Sequence, residues 1–258
     1  MDLNIQNKIA LITASGRGIG KAIARSLARE NAKLVINSRS IEDLNNLYEE
    51  LAPKTHVEIF CEDLTDSKSL KKLMKFLINK DLIPDILIHN LGGNLGITDP
   101  LCSISEWHKV QRINLEVPIE INREIIPYMQ KKKWGRICHI SSISGLENQG
   151  PPSYCAAKAG LIAYARSLGR YVAKDNIIIN SVLPGAIHTD NGYWDNLNKK
   201  DPERVKNYLK ERMAINRFGT PEEISEVVTF LCSDLASFCV GSAFLVDGGQ
   251  GRVFFSQE

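Results

Sequence analysis

The sequence predicts an α/β fold in which one doubly wound sheet of about seven parallel strands carries helices on both faces. Apolar runs of strand length alternate along the 258 residues with segments of helical period. The strand runs are continuously apolar, as expected for a parallel sheet that is covered on both faces. No linker, repeat or low-complexity tract divides the chain, so residues 1–258 are interpreted as a single domain.

The elements follow one another in strict order. The predicted strands are Ile9–Thr13, Lys33–Asn37, Val57–Cys61, Ile86–His89, Arg136–Ser141, Ile177–Val182 and Ala243–Val246. The predicted helices are Gly18–Glu30, Ile41–Leu51, Ser67–Asn79, Ser105–Lys131, Ser153–Lys174 and Pro221–Ser233. Residues 183–213 interrupt the alternation at the edge where open α/β sheets bind ligands, so we expect a substrate-covering loop there. A surface insertion with a short helix near Asp201–Met213 is the alternative.

Composition and charge exclude several classes of protein. The net charge of +2 gives no support to a nucleic-acid or anionic-membrane partner. No apolar run approaches the ~20 residues that span a bilayer, and the N-terminus lacks a secretory signal pattern, so a cytoplasmic protein is expected. The six cysteines form no C-x-x-C pair and the five histidines show no ligand spacing. We therefore expect reduced thiols and no metal.

A glycine-rich turn joins the first predicted strand to the first predicted helix. Glycines at such a turn let backbone N–H groups and the helix N-terminus approach a pyrophosphate, where the helix dipole favours negative charge. The spacing differs from the usual G-x-G-x-x-G, but the position between strand and helix supports a nucleotide site. The expected cofactor contacts here are Thr13, Ser15, Gly16, Arg17, Gly18, Ile19 and Gly20.

The end of the second strand indicates which nucleotide binds. An NAD site usually has an acidic residue there, bonded to the ribose hydroxyls. This chain has Ser38 and Arg39 instead, and Arg39 together with Arg17 could hold a 2′-phosphate. The sequence therefore favours NADP(H). Asp63, which adjoins Leu64 after the third strand, either contacts the adenine or caps a turn.

A tyrosine and a lysine four residues apart suggest acid–base chemistry. Tyr154 and Lys158 share one face of a predicted helix, and Ser142 follows the preceding strand. A neighbouring ammonium should lower the pKa of the phenol from its usual value near ~10, towards the range that is useful for catalysis. Alone, such a pair recurs by chance on amphipathic helices, so its value depends on the nucleotide site.

Taken together, these motifs resemble the short-chain dehydrogenase/reductase family over essentially the whole chain. The glycine turn resembles T-G-x-x-x-G-x-G with Ala14 in place of the first glycine, and His89-Asn90-Leu91-Gly92 resembles N-N-A-G. The segment Pro184-Gly185, with Ile187 and Thr189, resembles the one that holds the nicotinamide carboxamide in that family. Asp247-Gly248-Gly249 closes the last strand as in that family.

The resemblance implies a Rossmann-type oxidoreductase with a catalytic tetrad of Asn114, Ser142, Tyr154 and Lys158, and it adds Asn90 and Gly92 to the cofactor contacts. It also implies a homotetramer, with a dimer as the alternative. Leu91 is bulkier than the usual alanine. The twelve residues from Ser142 to Tyr154 are one fewer than is typical, which leaves Ser141 as the alternative catalytic serine.

The substrate stays open between two classes of carbonyl compound. Glu147-Asn148-Gln149 and the aromatic Tyr193 and Trp194 would suit a sugar or another hydroxylated substrate. The overall pattern equally resembles the 3-oxoacyl-carrier-protein reductases, for which residues 131–133, three lysines, would be a docking patch. Those lysines also suit a solvated helix end. A non-catalytic NADP(H)-binding sensor or scaffold protein is the alternative function, although such relatives usually lose the tyrosine or the lysine.

Overall fold

The computed structural model describes residues 2–147 and 149–252 and confirms the predicted parallel sheet. The strands are β1 Ile9–Ile12, β2 Lys33–Ser38, β3 Val57–Cys61, β4 Ile86–His89, β5 Gly135–Ile140, β6 Ile177–Pro184 and β7 Ala243–Val246. They pair in parallel in the order β3-β2-β1-β4-β5-β6-β7, so the chain winds outward from β1 in both directions. Leu11 of β1, for example, pairs with Val35 on one side and with Leu87 on the other.

Helices cover both faces because strand side chains alternate between the two sides of a sheet. The helices are α1 Gly18–Arg29, α2 Ile41–Leu51, α3 Ser69–Asn79, α4 Ile104–Gln111, α5 Val117–Lys132, α6 Pro152–Val172, α7 Tyr193–Lys200, α8 Pro202–Arg212 and α9 Pro221–Leu231. Ile12 and Ile36 lie in the core beneath α1, α2 and α9, whereas Leu11 and Val35 lie in the core beneath α3, α5 and α6. No helix within the described residues is long and apolar enough to cross a membrane.

The helix predicted over Ser105–Lys131 is confirmed over its length, but a π-helical turn lies within it. The turn spans Arg112–Glu116 between α4 and α5, and the Val117 N–H donates to the Arg112 carbonyl. Pro118 accounts for the break, since it has no N–H for the carbonyl four residues earlier and its ring clashes with that carbonyl. That carbonyl belongs to Asn114, one of the predicted catalytic residues.

Residues 183–213 contain more helix than expected. Two helices, α7 and α8, fill the segment, and the short helix that was the alternative interpretation near Asp201–Met213 corresponds to α8. The Asp201 side chain accepts a hydrogen bond from the Arg204 N–H, and Pro202 occupies the first turn of α8. No side chain of α7 is buried, and Val205 is the buried residue of α8. These two helices therefore lie on the surface of the protein.

Candidate active site

A cleft of about 880 Å³ opens at the carboxyl edge of the sheet, among the loops that follow β1 to β6. This is the edge at which open parallel sheets bind ligands. The structure brings most of the predicted cofactor contacts to its wall. They are Gly16, Arg17, Gly18, Ile19, Ser38, Arg39, Asp63, Leu64, Asn90, Gly92, Tyr154, Lys158, Pro184, Gly185, Ile187 and Thr189.

Three other predicted contacts, Thr13, Ser15 and Gly20, lie behind this wall and support it. The Thr13 hydroxyl oxygen accepts hydrogen bonds from the N–H groups of Asn90 and Leu91, each at 3.0 Å. The Ser15 hydroxyl donates to the Asn37 carbonyl at 3.1 Å. A Cβ on Gly20 would lie 2.4 Å from the Ala14 carbonyl oxygen, so this glycine permits a close approach of backbone to backbone.

The glycine turn presents the N-terminus of α1 to the cleft. Gly18 begins that helix with φ of +54°, a conformation that favours glycine. A Cβ on Gly18 would lie 3.4 Å from the Thr189 side chain, so the loop after β6 lies directly over the turn. The N–H groups at a helix N-terminus attract an anion, so this turn is the candidate position for a pyrophosphate.

The part of the cleft that adjoins the glycine turn, at the ends of β2 and β3, carries charges of both signs. Arg39 lies 3.6 Å from Asp63, and both side chains remain substantially exposed. Asp63 also accepts hydrogen bonds from the N–H and hydroxyl of Thr65, so it caps this turn as well as lining the cleft. Two acidic residues that sequence reasoning missed, Asp43 and Glu62, line the same end. The signal for Asp43 was present, since Ser40-x-x-Asp43 marks a helix N-terminus and these termini face the ligand edge.

Ser142, Tyr154 and Lys158 meet where the cleft deepens towards β5. The Lys158 ammonium nitrogen donates to the Ile140 carbonyl at 2.8 Å and lies 5.6 Å from the centroid of the Tyr154 ring. The Ser142 hydroxyl oxygen accepts from the Ser144 N–H at 3.1 Å, which fixes it at the end of β5. Ser141, the alternative serine, instead donates its hydroxyl to the Lys158 carbonyl at 3.1 Å.

Burial sets the pKa values of this pair. It lowers the pKa of Lys158 to about 7, because removal from water disfavours the ammonium form. Burial also raises the pKa of Tyr154 to about 12, against a smaller lowering by the hydrogen bond with Ser142. The expected lowering of the Tyr154 pKa by the lysine is therefore not found, because desolvation of the phenol dominates. The phenol is protonated at neutral pH and suited to donate a proton.

Asn114 lies behind Gly92 and Gly93 and is fully buried. Its side-chain oxygen accepts from the Gly93 N–H at 2.9 Å, and its side-chain nitrogen donates to the Gly93 carbonyl at 2.8 Å. A Cβ on Gly92 would lie 2.7 Å from that oxygen and 2.9 Å from the Lys158 nitrogen. Asn114 thus fixes the loop after β4 beside Lys158.

A second groove, of about 1160 Å³, meets the cleft at Tyr154. Gly93, Asn94, Tyr154 and the predicted substrate residues Tyr193 and Trp194 line both cavities. Polar and charged side chains line the rest of the groove, namely Thr98, Gln149, Asp201, Glu203, Arg204, Asn207, Glu211 and Arg212.

Aromatic rings form one wall of this groove. Trp194 packs against Tyr208 at a centroid distance of 4.2 Å, and against Phe218 at 4.8 Å and Tyr193 at 4.9 Å. Tyr208 and Phe218 were missed from the sequence, because only the folding of α8 and of the loop before α9 brings them to Trp194. Among the described residues, no group of three or more His, Cys, Asp or Glu side chains is placed to hold a metal ion.

Comparison with known proteins agrees with this geometry. FabG, the 3-oxoacyl-(acyl-carrier-protein) reductase of Aquifex aeolicus (strain VF5), is 35% identical over 253 residues, covering 97% of this chain and 100% of that protein. The crystal structure of L-sorbose reductase from Gluconobacter frateurii, complexed with NADPH and L-sorbose, superposes with a TM-score of 0.88 at 31% identity and covers 97% of this chain and 98% of that one. A 3-oxoacyl-(acyl-carrier-protein) reductase structure from Agrobacterium tumefaciens C58 with NADP bound superposes at 0.89 with 26% identity, over 96% of each chain.

The parallel sheet, the glycine turn and the residues at the cleft define an oxidoreductase that uses a nicotinamide cofactor. More particularly, the chain belongs to the short-chain dehydrogenase/reductase family: the family model described as enoyl-(acyl carrier protein) reductase matches residues 13–250.

Proposed function

We propose that this protein is an NADP(H)-dependent oxidoreductase (EC 1.1.1.-) that interconverts a ketone and a secondary alcohol, with Tyr154 as the acid or base. The observation that carries the proposal is the position of Tyr154, which lines both the cofactor cleft and the adjoining groove. A group held in the cleft and a group held in the groove would therefore meet at this phenol.

The residues present fit a dinucleotide. The N-terminus of α1 faces the cleft at the glycine turn, and Gly92, which has no Cβ, lets its backbone approach Asn114 and Lys158 closely. Pro184, Gly185, Ile187 and Thr189 would hold the nicotinamide end, and Arg17, Ser38 and Arg39 the 2′-phosphate end. When bound, the nicotinamide supplies or accepts a hydride.

The side chains would supply the proton and the orientation. Ser142 and Tyr154 would donate hydrogen bonds to the carbonyl oxygen of the substrate, and Tyr154 would give up its proton as negative charge develops on that oxygen. Lys158 in its ammonium form stabilises the resulting phenolate. Asn114 holds the adjoining backbone in place. In the oxidative direction Tyr154 would act as the base.

Replacement of the phenol tests this assignment. Tyr154→Phe should lower kcat by about 10²- to 10⁴-fold, the usual contribution of a general acid, while NADPH affinity measured by tryptophan fluorescence is retained. The assay follows NADPH consumption with L-sorbose, other keto-sugars and acetoacetyl-coenzyme A. Tyr171→Phe is the matched control, because Tyr171 is an exposed tyrosine on the same helix. Undiminished turnover by Tyr154→Phe would refute the role of Tyr154.

The preference for NADP(H) rests on Arg39 and Arg17, opposed by the acids at the same end of the cleft. Arg39→Ala should therefore weaken NADPH binding by about 10-fold or more and leave NADH binding nearly unchanged, since a charge-assisted hydrogen bond contributes about 1.5–3 kcal/mol. Asp43→Asn should act in the opposite direction and tighten NADPH binding, because it removes a carboxylate beside the 2′-phosphate. Parallel fluorescence titrations with both nucleotides measure the two effects. Tighter binding of NADH than of NADPH by the unmodified protein would contradict the proposal.

For the substrate, a hydroxylated ketone of the sugar or polyol type is the first candidate. The groove beside Tyr154 offers amide, hydroxyl and charged groups facing aromatic rings, a combination that suits hydroxyl groups on a compact carbon skeleton. The solved L-sorbose reductase supports the same class. Tyr193 and Trp194 are its proposed contacts.

A 3-oxoacyl thioester is the second candidate, supported by the sequence similarity to the FabG proteins. A docking patch at residues 131–133 receives no support. These lysines lie at the end of α5, just before β5 begins, and Ser142 follows the opposite end of that strand. Lys132 and Lys133 also pair with Asp85 and Asp175. Any carrier protein would have to dock elsewhere.

Two further expectations stay proposals. The non-catalytic sensor is the alternative function, and nucleotide binding without turnover of any carbonyl compound would favour it. A homotetramer, or a dimer, is the proposed assembly, supported by the exposed ring of Phe238 and testable by light scattering. The C-terminal sequence, residues 249–258, is a candidate for a second interface between subunits, and most of it, residues 253–258, lies outside the described residues.

A further inference from the structure

The segment that follows β7, Asp247–Arg252, lies against the loops that form the substrate groove. The Arg252 guanidinium donates to the Glu211 carbonyl at the end of α8 at 2.9 Å, and the Arg252 N–H donates to the Glu147 carboxylate. The Gly248 carbonyl accepts from the Ile215 N–H at 3.3 Å. This segment therefore contacts both α8 and the loop after β5. The helices α7 and α8 lie in the predicted substrate-covering segment, residues 183–213, and are called the lid helices below.

Gln250 is the buried centre of these contacts, with 3% of its surface exposed. Its amide oxygen accepts from the Ala186 N–H at 2.7 Å. Its amide nitrogen donates to the Gln149 side-chain oxygen at 2.8 Å and to the Tyr208 hydroxyl at 2.5 Å. A Cβ on Gly185 would lie 2.7 Å from the Gln250 oxygen, so the glycine makes room for this amide.

One branch of these contacts leads to the groove wall. Gln250 holds the Tyr208 hydroxyl, and the Tyr208 ring packs on Trp194 at 4.2 Å. Because α7 buries no side chain, ring contacts such as this one and an ion pair between His188 and Asp195 hold it in place. The position of Trp194 thus depends on Tyr208, and that of Tyr208 on Gln250.

The other branch leads to the Ser142 loop. Gln250 holds the Gln149 side chain, and the Gln149 carbonyl accepts from the Ser144 hydroxyl at 3.2 Å. The Ser142 hydroxyl donates in turn to the Ser144 oxygen at 3.1 Å. One buried amide is therefore linked both to the groove wall and to the serine beside Tyr154.

We propose that Gln250 is a positioning residue for the substrate groove, coupling the lid helices to the Ser142 loop without touching the substrate. The assignment of the groove to the substrate rests on the proposed function, whereas the coupling itself rests on the contacts of Gln250. Removing its amide should free Trp194 and the Ser142 loop together, and leave the glycine turn and the adenosine end of the cleft unchanged.

Fluorine NMR of the full chain labelled with 5-fluorotryptophan tests the coupling without any substrate. The protein has three tryptophans, and loss of one resonance in Trp194→Phe assigns the signal of that residue. Gln250→Leu should shift or broaden the Trp194 resonance and leave those of Trp107 and Trp134 in place. Tyr208→Phe, which keeps the ring and loses only the hydroxyl, should have the same effect, and the double variant should add little.

Kinetics then test the consequence for substrate binding. With the ketone that the unmodified enzyme turns over best, Gln250→Leu and Tyr208→Phe should each raise KM by about 10-fold, as expected for lost buried hydrogen bonds. Tyr208→Phe should leave the NADPH dissociation constant unchanged, because Tyr208 does not line the cofactor cleft. Gln130→Leu is the matched control, since Gln130 bonds Asp175 at the far edge of the sheet. Its KM should be that of the unmodified enzyme.

The two proposals fail in different ways. An unchanged Trp194 resonance in both Gln250→Leu and Tyr208→Phe would overturn the positioning role, whether or not the protein has activity. An unmodified enzyme that turns over no carbonyl compound would overturn the proposed function and leave the NMR result valid. If Gln250→Leu does not fold, Tyr208→Phe alone decides the positioning role.

Discussion

Lys158 shows how one side chain ties catalysis to stability. It is an ammonium-bearing residue enclosed by protein, with the Ile140 carbonyl as the hydrogen-bond acceptor of its nitrogen. Burial lowers its pKa to about 7. Unfolding returns the amine to water and to its ordinary pKa of about 10.4. Burial of Lys158 therefore lowers the free energy of unfolding at every pH at which the amine would be charged in water.

Lys158→Met should therefore raise the free energy of unfolding while abolishing activity. Between pH 7 and about 10.4 the unfolded chain holds a proton on this amine that the native chain has lost, so the contribution of Lys158 to stability becomes less unfavourable as the pH rises across that window. The methionine variant lacks this slope. Its stability advantage should be largest below pH 7, on the order of a few kcal/mol, and shrink as the pH approaches 10. Urea unfolding at several pH values measures it, and an advantage that grows with pH would show that burial of the ammonium is not its cause.

Ala14 is strained at the position where the related family has glycine. Its φ is +52°, in the left-handed region that costs a residue with a Cβ about 1–2 kcal/mol. Its carbonyl accepts a hydrogen bond from the Asn90 side chain at 3.0 Å, which helps to hold this conformation. The turn therefore keeps this hydrogen bond although a residue with a Cβ stands where the related family has glycine.

Ala14→Gly should stabilise the protein by up to about 1 kcal/mol, because the relief of strain exceeds the entropy that glycine adds to the unfolded chain. Ala163→Gly gives the contrast, since Ala163 is exposed in the interior of α6 and the same substitution there should cost about 1 kcal/mol. Thermal unfolding of both variants measures the difference. Equal destabilisation by the two glycines would show that Ala14 is not strained.

Among the elements, the lid helices α7 and α8 differ from the rest in how they are held. Together α7 and α8 bury one residue, Val205, whereas α6 buries eight. A helix gains most of its stability from packing rather than from propensity, so α7 and α8 should open far more often than α6. Their exposed amides and aromatic contacts suit a segment that moves when ligands enter and leave.

Hydrogen exchange should show this contrast directly. Amides of residues 193–212 should exchange much faster than those of residues 157–172, and saturating NADPH should slow exchange around Thr189 and Tyr193, which line the cofactor cleft. Residues 221–231 of α9 are an internal reference, because that helix packs in the core away from the cleft. Equal protection of the lid and α6 without ligand would contradict the lid interpretation.

The strands and helices also show how much of the structure can be predicted from the sequence. Strands β1 to β7 could be predicted because continuous apolar runs demand burial on both faces. The helices α1 to α6 and α9 could be predicted from six segments of helical period. The break between α4 and α5 was missed although Pro118 marked it, because helical period continues through the turn. The helices α7 and α8 were unclear because weakly buried helices leave little apolar period to detect.

At the scale of the whole molecule, site residues could be predicted where they belong to one sequence motif. They could not be predicted where their role depends on contacts between distant loops. Ser142, Tyr154 and Lys158 form such a motif. Gln250, Tyr208 and Asp43 do not, since their roles depend on which loops meet at the edge of the sheet. The single-domain interpretation of residues 1–258 remains a prediction.

The position of Gln250 after the last strand also has a consequence for folding during synthesis. Synthesis proceeds from the N-terminus, and the residues that line the cofactor cleft all precede Pro202 in the chain, at the start of α8. The amide that joins the groove wall to the Ser142 loop is translated after β7. A nascent chain therefore acquires the elements of its nucleotide site first, and its selectivity among carbonyl compounds last.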